Sequence, residues 1–177
     1  NHEDLDQILR RIMVKDYIIS ERLILECQFL DKKESAVNEI VLKGATHLIS
    51  VDLIIDGNAI RRIRGDGVIV GTATGSTAYL LSAGSPIVMP EVRCMIIAGL
   101  NEYNFSARNL LVSADSKIQL TIHPSTRETD IYLALDGKDK IPISINETIT
   151  IYESSRKARL IFMEPNYFFN NLSSRLS

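Results

Sequence analysis

Between Glu21 and Met163 apolar and polar residues alternate in short runs, the period expected of half-buried strands. Leu23, Leu25, Cys27 and Phe29 share one side of a strand from Glu21 to Leu30, with Glu26 and Gln28 on the other. Asp31 to Glu34 supplies a turn, and the next strand spans Ala36 to Lys43. The same alternation marks Leu48 to Ile55, Lys117 to His123 and Ile131 to Leu135. Asp56-Gly57 and Asp136-Gly137 are hairpin signals, with return strands over Ile60 to Arg64 and Ile141 to Ile145. Val68-Ile69-Val70 reads as a buried strand, and Arg93 to Ala98, Thr148 to Tyr152 and Ala158 to Met163 complete a set of about ten. Helical spacing is confined to Glu3 to Met13, a short central piece and Tyr167 to Leu176. Many short strands with so few helices predict a single, mainly β domain over residues 1–177: a two-sheet β-sandwich with short N-terminal, central and C-terminal helices.

Composition narrows the class further. A chain of 177 residues is long enough for one domain with a substantial core. The formal charge of −2 arises from 20 basic and 22 acidic residues without a long block of either sign, which points to neither nucleic acid nor a membrane surface as partner. No apolar run approaches the ~20 residues that span a bilayer. Cys27 and Cys94 lie far apart, each within an apolar strand pattern, and read as reduced core residues of a cytoplasmic protein. Three scattered His and these two Cys have no metal-ligand spacing, and no Ser/His/Asp set is visible, so no metal site is expected. The chain opens at Asn1, in a segment that reads like the middle of a longer protein.

One stretch carries candidate chemistry. Gly65 to Pro86 reads GDGVIVGTATGSTAYLLSAGSP. A Gly-Asp-Gly turn leads into Val68–Val70, then into a loop of small residues from Gly71 to Gly75. Ser76 or Thr77 then precedes Ala78 to Ala83, with Gly84 and Pro86 behind, the signals of a capped short helix. Small residues admit a ligand close to the backbone, and free N–H groups and hydroxyls offer it hydrogen bonds. An ordinary strand-to-helix connection fits the same spacing, and neither GxxxxGK[ST] nor GxGxxG is present. Asn38-Glu39 sets two polar groups between Val37 and Ile40-Val41-Leu42. By alternation one of them points inward, where it needs partners, unless that edge is solvated.

The order GDG, TATGSTAY, LSAGSP resembles the signature of NAD kinases, usually GDG, TPTGSTAY, LSAGGP, with Ala73 for the usual Pro and Ser85 for the second Gly. The resemblance covers essentially the whole chain but only the family's second, all-β domain. The GGDG motif of the first domain, whose Asp is the expected base, is absent, so no catalytic residue is expected in this piece, which should be inactive alone. The resemblance implies transfer of the γ-phosphoryl of ATP, with a divalent cation such as Mg2+, to the 2′-hydroxyl of the adenosine ribose of NAD, giving NADP. It implies that Asn38 and Glu39 hold the adenosine part, that Asp66 faces the nicotinamide end and that Arg64 faces the diphosphate. Thr77, Ala78, Tyr79 and Ser82 match the NAD-contacting stretch, Thr74, Gly75 and Ser76 add loop contacts, and His47 falls near the substrate. Residues 1–15 become a linking helix and 165–177 a helix returning towards the first domain. The partners implied are NAD or NADP, ATP or polyphosphate, and further copies of the chain in a homodimer or homotetramer. Two stretches depart from the pattern: AGLNEYNFSARN keeps only Ser106 and Arg108 of a TPICPHSLSFRP-like segment, and Asp136-Gly137-Lys138 stands for DGQ. A non-catalytic module that binds NAD or NADP is the alternative from another class.

Overall fold

The computed structural model describes residues 2–104, 107–138 and 140–176. Among the described residues the alternating runs become twelve strands in two six-stranded sheets. In chain order these are β1 (Ile18–Phe29), β2 (Lys32–Ala36), β3 (Glu39–Gly44), β4 (Ile49–Ile55), β5 (Asn58–Gly65), β6 (Gly67–Thr72), β7 (Cys94–Leu100), β8 (Leu110–Ser113), β9 (Ile118–Ile122), β10 (Ile131–Leu135), β11 (Ile141–Ile143) and β12 (Thr148–Phe162). The helices are α1 (His2–Met13), α2 (Tyr79–Ser82) and α3 (Tyr167–Leu176), with a 3-10 turn over Thr74–Thr77 ahead of α2. The first sheet has the order β2-β1-β12-β9-β4-β5, the second β11-β10-β3-β6-β7-β8. The mainly β, two-sheet architecture follows the alternation, with the helices confined to the three expected places.

Packing follows from the same parity. Leu25, Cys27, Val51, Leu53, Leu120, Ile122 and Ile149 project from the first sheet, and Ile40, Leu42, Val68, Val70, Met95 and Leu133 from the second, into one shared apolar layer. Each such aliphatic side chain contributes about 1.5–3 kcal/mol on full burial. The chain's contacts divide it into two compact units, Leu23–Lys157, which holds this sandwich core, and a second formed by residues 1–22 with 158–177. Within the second unit Arg11 donates to Asp16 at 2.8 Å and to the Met163 carbonyl at 2.7 Å. There the buried Arg22 guanidinium lies 5.7 Å from the Phe162 ring and 5.6 Å from that of Tyr167.

Several elements differ from the sequence expectation. The strand foreseen from Ala36 to Lys43 is two: β2 pairs with β1 in the first sheet, β3 with β6 and β10 in the second, and the chain changes sheets at Val37-Asn38. The turn placed over Asp31 to Glu34 contracts to Leu30-Asp31, with Leu30 at φ 49°, so Lys32 to Glu34 join the ladder opposite Phe29 to Cys27. Thr148 to Phe162 is one strand rather than two, because the polar run Glu153 to Lys157 stays extended. The central helix is broken at Ala78 (φ −101°, ψ −128°), and neither Ser76 nor Thr77 caps it. The reason is that the buried Ser76 hydroxyl is engaged elsewhere, donating to the Ala73 carbonyl at 2.7 Å and accepting the Val88 N–H at 3.0 Å.

Candidate functional site

The site grows from the far face of the second sheet. On β3, Glu39, Val41 and Lys43 point away from the shared core, as do Ile69 on β6 and Cys94, Ile96, Ala98 and Leu100 on β7. The chain between β6 and β7 folds back over this face, and its Ala73, Leu80 and Val88 close a second apolar cluster with Val41, Ile69 and Ile96. All six residues of β6 are therefore buried. The cover is seated on the β2–β3 corner: Thr72 donates its N–H to the Asn38 carbonyl at 2.9 Å and its hydroxyl to the Val37 carbonyl at 2.7 Å. The Thr72 hydroxyl in turn accepts the Gly75 N–H at 3.1 Å. Gly75 is obligatory there, since a Cβ on it would stand 2.2 Å from the Asn38 carbonyl oxygen.

Between the cover and the end of the sheet opens a cleft of about 290 Å³ lined by Lys43, Asp66, Tyr79, Ser82, Gly99 and Asn101. Asp66 is fixed on every side: its carboxylate accepts Asn101 Nδ2 at 2.7 Å, its N–H donates to Leu100 at 2.8 Å and its carbonyl accepts Gly44 at 3.0 Å. Glu39 lies under the start of α2, 7 % exposed, and its Oε2 has no hydrogen-bond partner. Burial, then the charge of Asp136, push the Glu39 carboxyl above its ordinary range, while the Tyr79 N–H pulls the other way. One carboxylate beside one ammonium, with the Tyr79 and Ser82 hydroxyls and the Asn101 amide, suits a ligand rich in hydroxyl and amide groups.

The structure gathers most of the residues singled out in the sequence. Asp66, Tyr79 and Ser82 line the cleft, Glu39 meets the Tyr79 N–H, and the Asn38 carbonyl supports the cover. Thr74, Gly75, Ser76 and Thr77 form the 3-10 turn, and Ala78 is the joint before α2. Ser76 is fully buried with its hydroxyl bonded inside the protein, and the Thr77 hydroxyl donates to Thr74 at 3.4 Å. Arg64 and His47 line a different groove, of about 570 Å³, with Arg62, Ser125, Thr126 and Arg127. There Arg64 stacks 5.7 Å from the Tyr103 ring, and His47 Nδ1 is 2.8 Å from the Thr46 hydroxyl. Ser106 lies outside the described residues.

Sequence reasoning missed four contributors. Lys43 ends an apolar run with a charge, and Asn101 follows β7 at φ 45°, both readable as surface features. Asp136 stood out as a turn residue and as the first residue of the DGQ-like triplet, with no partner assigned, yet its carboxylate accepts the N–H groups of Val37, Asn38 and Glu39 at 2.7, 2.8 and 3.1 Å. Glu128 accepts the N–H groups of Thr129 and Asp130 on one oxygen, and those of Thr46 and His47 with the Thr46 hydroxyl on the other. Those donors hold its carboxyl well below the usual carboxylate range, the Asp130 N–H most of all. Among the described residues no group of three or more His, Cys, Asp or Glu could hold a metal ion, and no helix is long and apolar enough to cross a membrane.

Comparison with known proteins decides the family. The profile of the ATP-NAD kinase C-terminal domain matches residues 37–163. The chain belongs to that family. An NAD kinase of Lachnoclostridium phytofermentans is 29 % identical over 97 % of this chain and 64 % of its own length. One from Legionella pneumophila (strain Corby) is 30 % identical over 98 % and 61 %. The chain thus spans somewhat under two thirds of the length of these kinases. Among solved structures, yeast NADH kinase complexed with NADH superposes with a TM-score of 0.91 at 26 % identity, covering 98 % of this chain and 53 % of that one. An NAD kinase from Archaeoglobus fulgidus in complex with ATP gives 0.81 at 28 % identity, covering 98 % and 66 %.

Proposed function

We propose that the protein containing this chain is an NAD kinase, which moves the γ-phosphoryl of ATP to the 2′-hydroxyl of the adenosine ribose of NAD to give NADP. In this reading the chain supplies the NAD cradle: Asn38 and Glu39 hold the adenosine part, Asp66 the nicotinamide end, and Thr77, Ala78, Tyr79 and Ser82 the walls. Arg64 and His47 serve the diphosphate side from their own groove. The observation that carries the reading is the convergence of Glu39 from β3, Asp66 from the turn before β6, and Tyr79 and Ser82 from α2 around the cover and its cleft. The relatives solved in complex with NADH and with ATP support a nucleotide as the ligand class.

Phosphoryl transfer depends mainly on positioning and charge stabilisation, so a domain that only fixes the acceptor can be indispensable without holding a base. The chain alone then binds NAD without turning it over. A divalent cation such as Mg2+ would be held largely by the phosphates of the bound nucleotides and by water, with few protein ligands. Residues 1–15 act as a linking helix, 165–177 return towards a first domain, and the sheet edges serve a homodimer or homotetramer in the cytoplasm. The test pairs calorimetry of the chain with NAD and NADP against an ATP-dependent assay of the full-length protein. Binding by the chain and NADP formation only by the full-length protein are expected. Binding without turnover in the full-length protein would overturn the kinase assignment, and absence of binding would overturn the cradle.

A further inference from the structure

We propose that Asp136, almost a hundred residues beyond the corner it touches, is the positioning residue of the cradle. Its carboxylate fixes the chain corner on which the cover is seated, and through it the presentation of Glu39 to a bound dinucleotide. The ligand class rests on the NAD reading above; the mechanical link does not.

The link is a continuous run of hydrogen bonds. Asp136 Oδ2 accepts the Val37 N–H at 2.7 Å, and Oδ1 accepts those of Asn38 at 2.8 Å and Glu39 at 3.1 Å. These amides lie where the chain leaves β2 and enters β3, so the carboxylate supplies acceptors that a neighbouring strand would otherwise give. With the amides fixed, the carbonyls of Val37 and Asn38 are fixed too, and they receive the hydroxyl and N–H of Thr72. Thr72 holds Gly75, which has no room for even a methyl group against Asn38. A displacement of the corner therefore passes directly to the 3-10 turn and to Tyr79 beyond it. Asp136 also acts on Glu39 through its charge, which adds to burial in pushing that carboxyl above its ordinary range, against the Tyr79 N–H. Lys43 shares the same face of β3 four residues on.

The other Asp-Gly hairpin shows an aspartate in the same turn that holds a distant segment away from the cleft. Asp56 has φ 50° where Asp136 has 47°, donates its N–H to Lys117 as Asp136 donates to Glu39, and accepts the Lys117 N–H at 2.7 Å. It touches no part of the cleft lining.

The experiment compares Asp136→Asn with Asp56→Asn in the full-length protein. Asparagine tolerates the left-handed turn in both, so the turn itself is unchanged. Asp136→Asn should weaken dinucleotide binding by roughly tenfold or more in calorimetry. It should also speed amide exchange at Thr72 and Gly75 relative to Leu120 in the core, and lower the pH at which the Glu39 carboxyl titrates by NMR. Asp56→Asn should change none of these. Unchanged exchange at Thr72 and Gly75, with an unmoved Glu39 titration, overturns the proposal. If Asp136→Asn does not fold, acid titration of the wild type decides: the amide resonances of Val37, Asn38 and Glu39 must shift together with the Asp136 carboxyl, and independent titration overturns it. A wild type that binds no dinucleotide defeats the NAD reading, while the exchange and titration measurements still decide for or against Asp136.

Discussion

Outer positions of the first sheet meet water, whereas those of the second sheet's middle strands meet protein. On the first sheet they carry paired polar groups: the hydroxyls of Thr121 and Thr148 lie 2.7 Å apart, Lys33 donates to Glu26 at 2.7 Å and Arg62 to Asp52 at 2.7 Å. Burial accordingly alternates along β9. On the second sheet β6 is buried at every position and β3 and β7 nearly so, because residues 73–88 lie across them. An antiparallel sheet usually leaves one face to solvent. Strands that are apolar on both faces therefore announce a cover, and the space between cover and sheet is where a ligand can be enclosed.

The contrast can be broken most forcefully in the cover's own apolar layer. Ile69→Ala should cost about 2–5 kcal/mol in urea denaturation, the range for deleting a buried aliphatic side chain. Thr150→Ala, on the open face of the first sheet, should stay within about 0.5 kcal/mol. Equal losses would mean that the cover contributes nothing. Next in size, Gly75→Ala forces a Cβ against the Asn38 carbonyl and should cost about 1–3 kcal/mol by overpacking. It should also abolish dinucleotide binding in calorimetry, and retained binding would move the ligand elsewhere.

Smaller effects separate a satisfied carboxylate from an unsatisfied one. Glu128→Gln should lower the urea midpoint at neutral pH. Because the folded pKa is depressed, that loss is fully present above the ordinary value of 4.5 and fades as the pH falls below it. Glu39→Gln has the opposite sign: the folded pKa is raised, so the wild type bears the cost of ionisation above the ordinary range. The variant should be slightly more stable at pH 8 and equal to the wild type in acid, while binding dinucleotide less tightly. A pH-independent difference in either variant would remove the electrostatic explanation.

How much of this could be read from the chain follows from the range of each interaction. Alternation in Lys117 to His123 or Ile131 to Leu135 is local, and those strands appear where expected. The apolar run Val68-Ile69-Val70 told of burial but not of what does the burying. The break at Val37-Asn38 was invisible because the group that stabilises it, Asp136, arrives from another hairpin. Ser76 and Thr77 both fit a cap by residue type, whereas the Ser76 hydroxyl is claimed by Ala73 and Val88 after the cover closes and that of Thr77 turns back to Thr74. Gly65 to Pro86 was located correctly as a unit, since turn and breaker signals act on their own neighbours.

Both thiols of the chain are buried on strands, Cys27 within β1 at 0 % exposure and Cys94 at the start of β7 at 2 %, and desolvation pushes that of Cys27 up to about 12. At neutral pH neither offers a thiolate to an alkylating reagent. A cysteine introduced at Ser82, on the open lip of the cleft, would be the one group in these 177 residues that a maleimide dye reaches. Fluorescence from that position would report filling and emptying of the cleft without background from the native sulfurs.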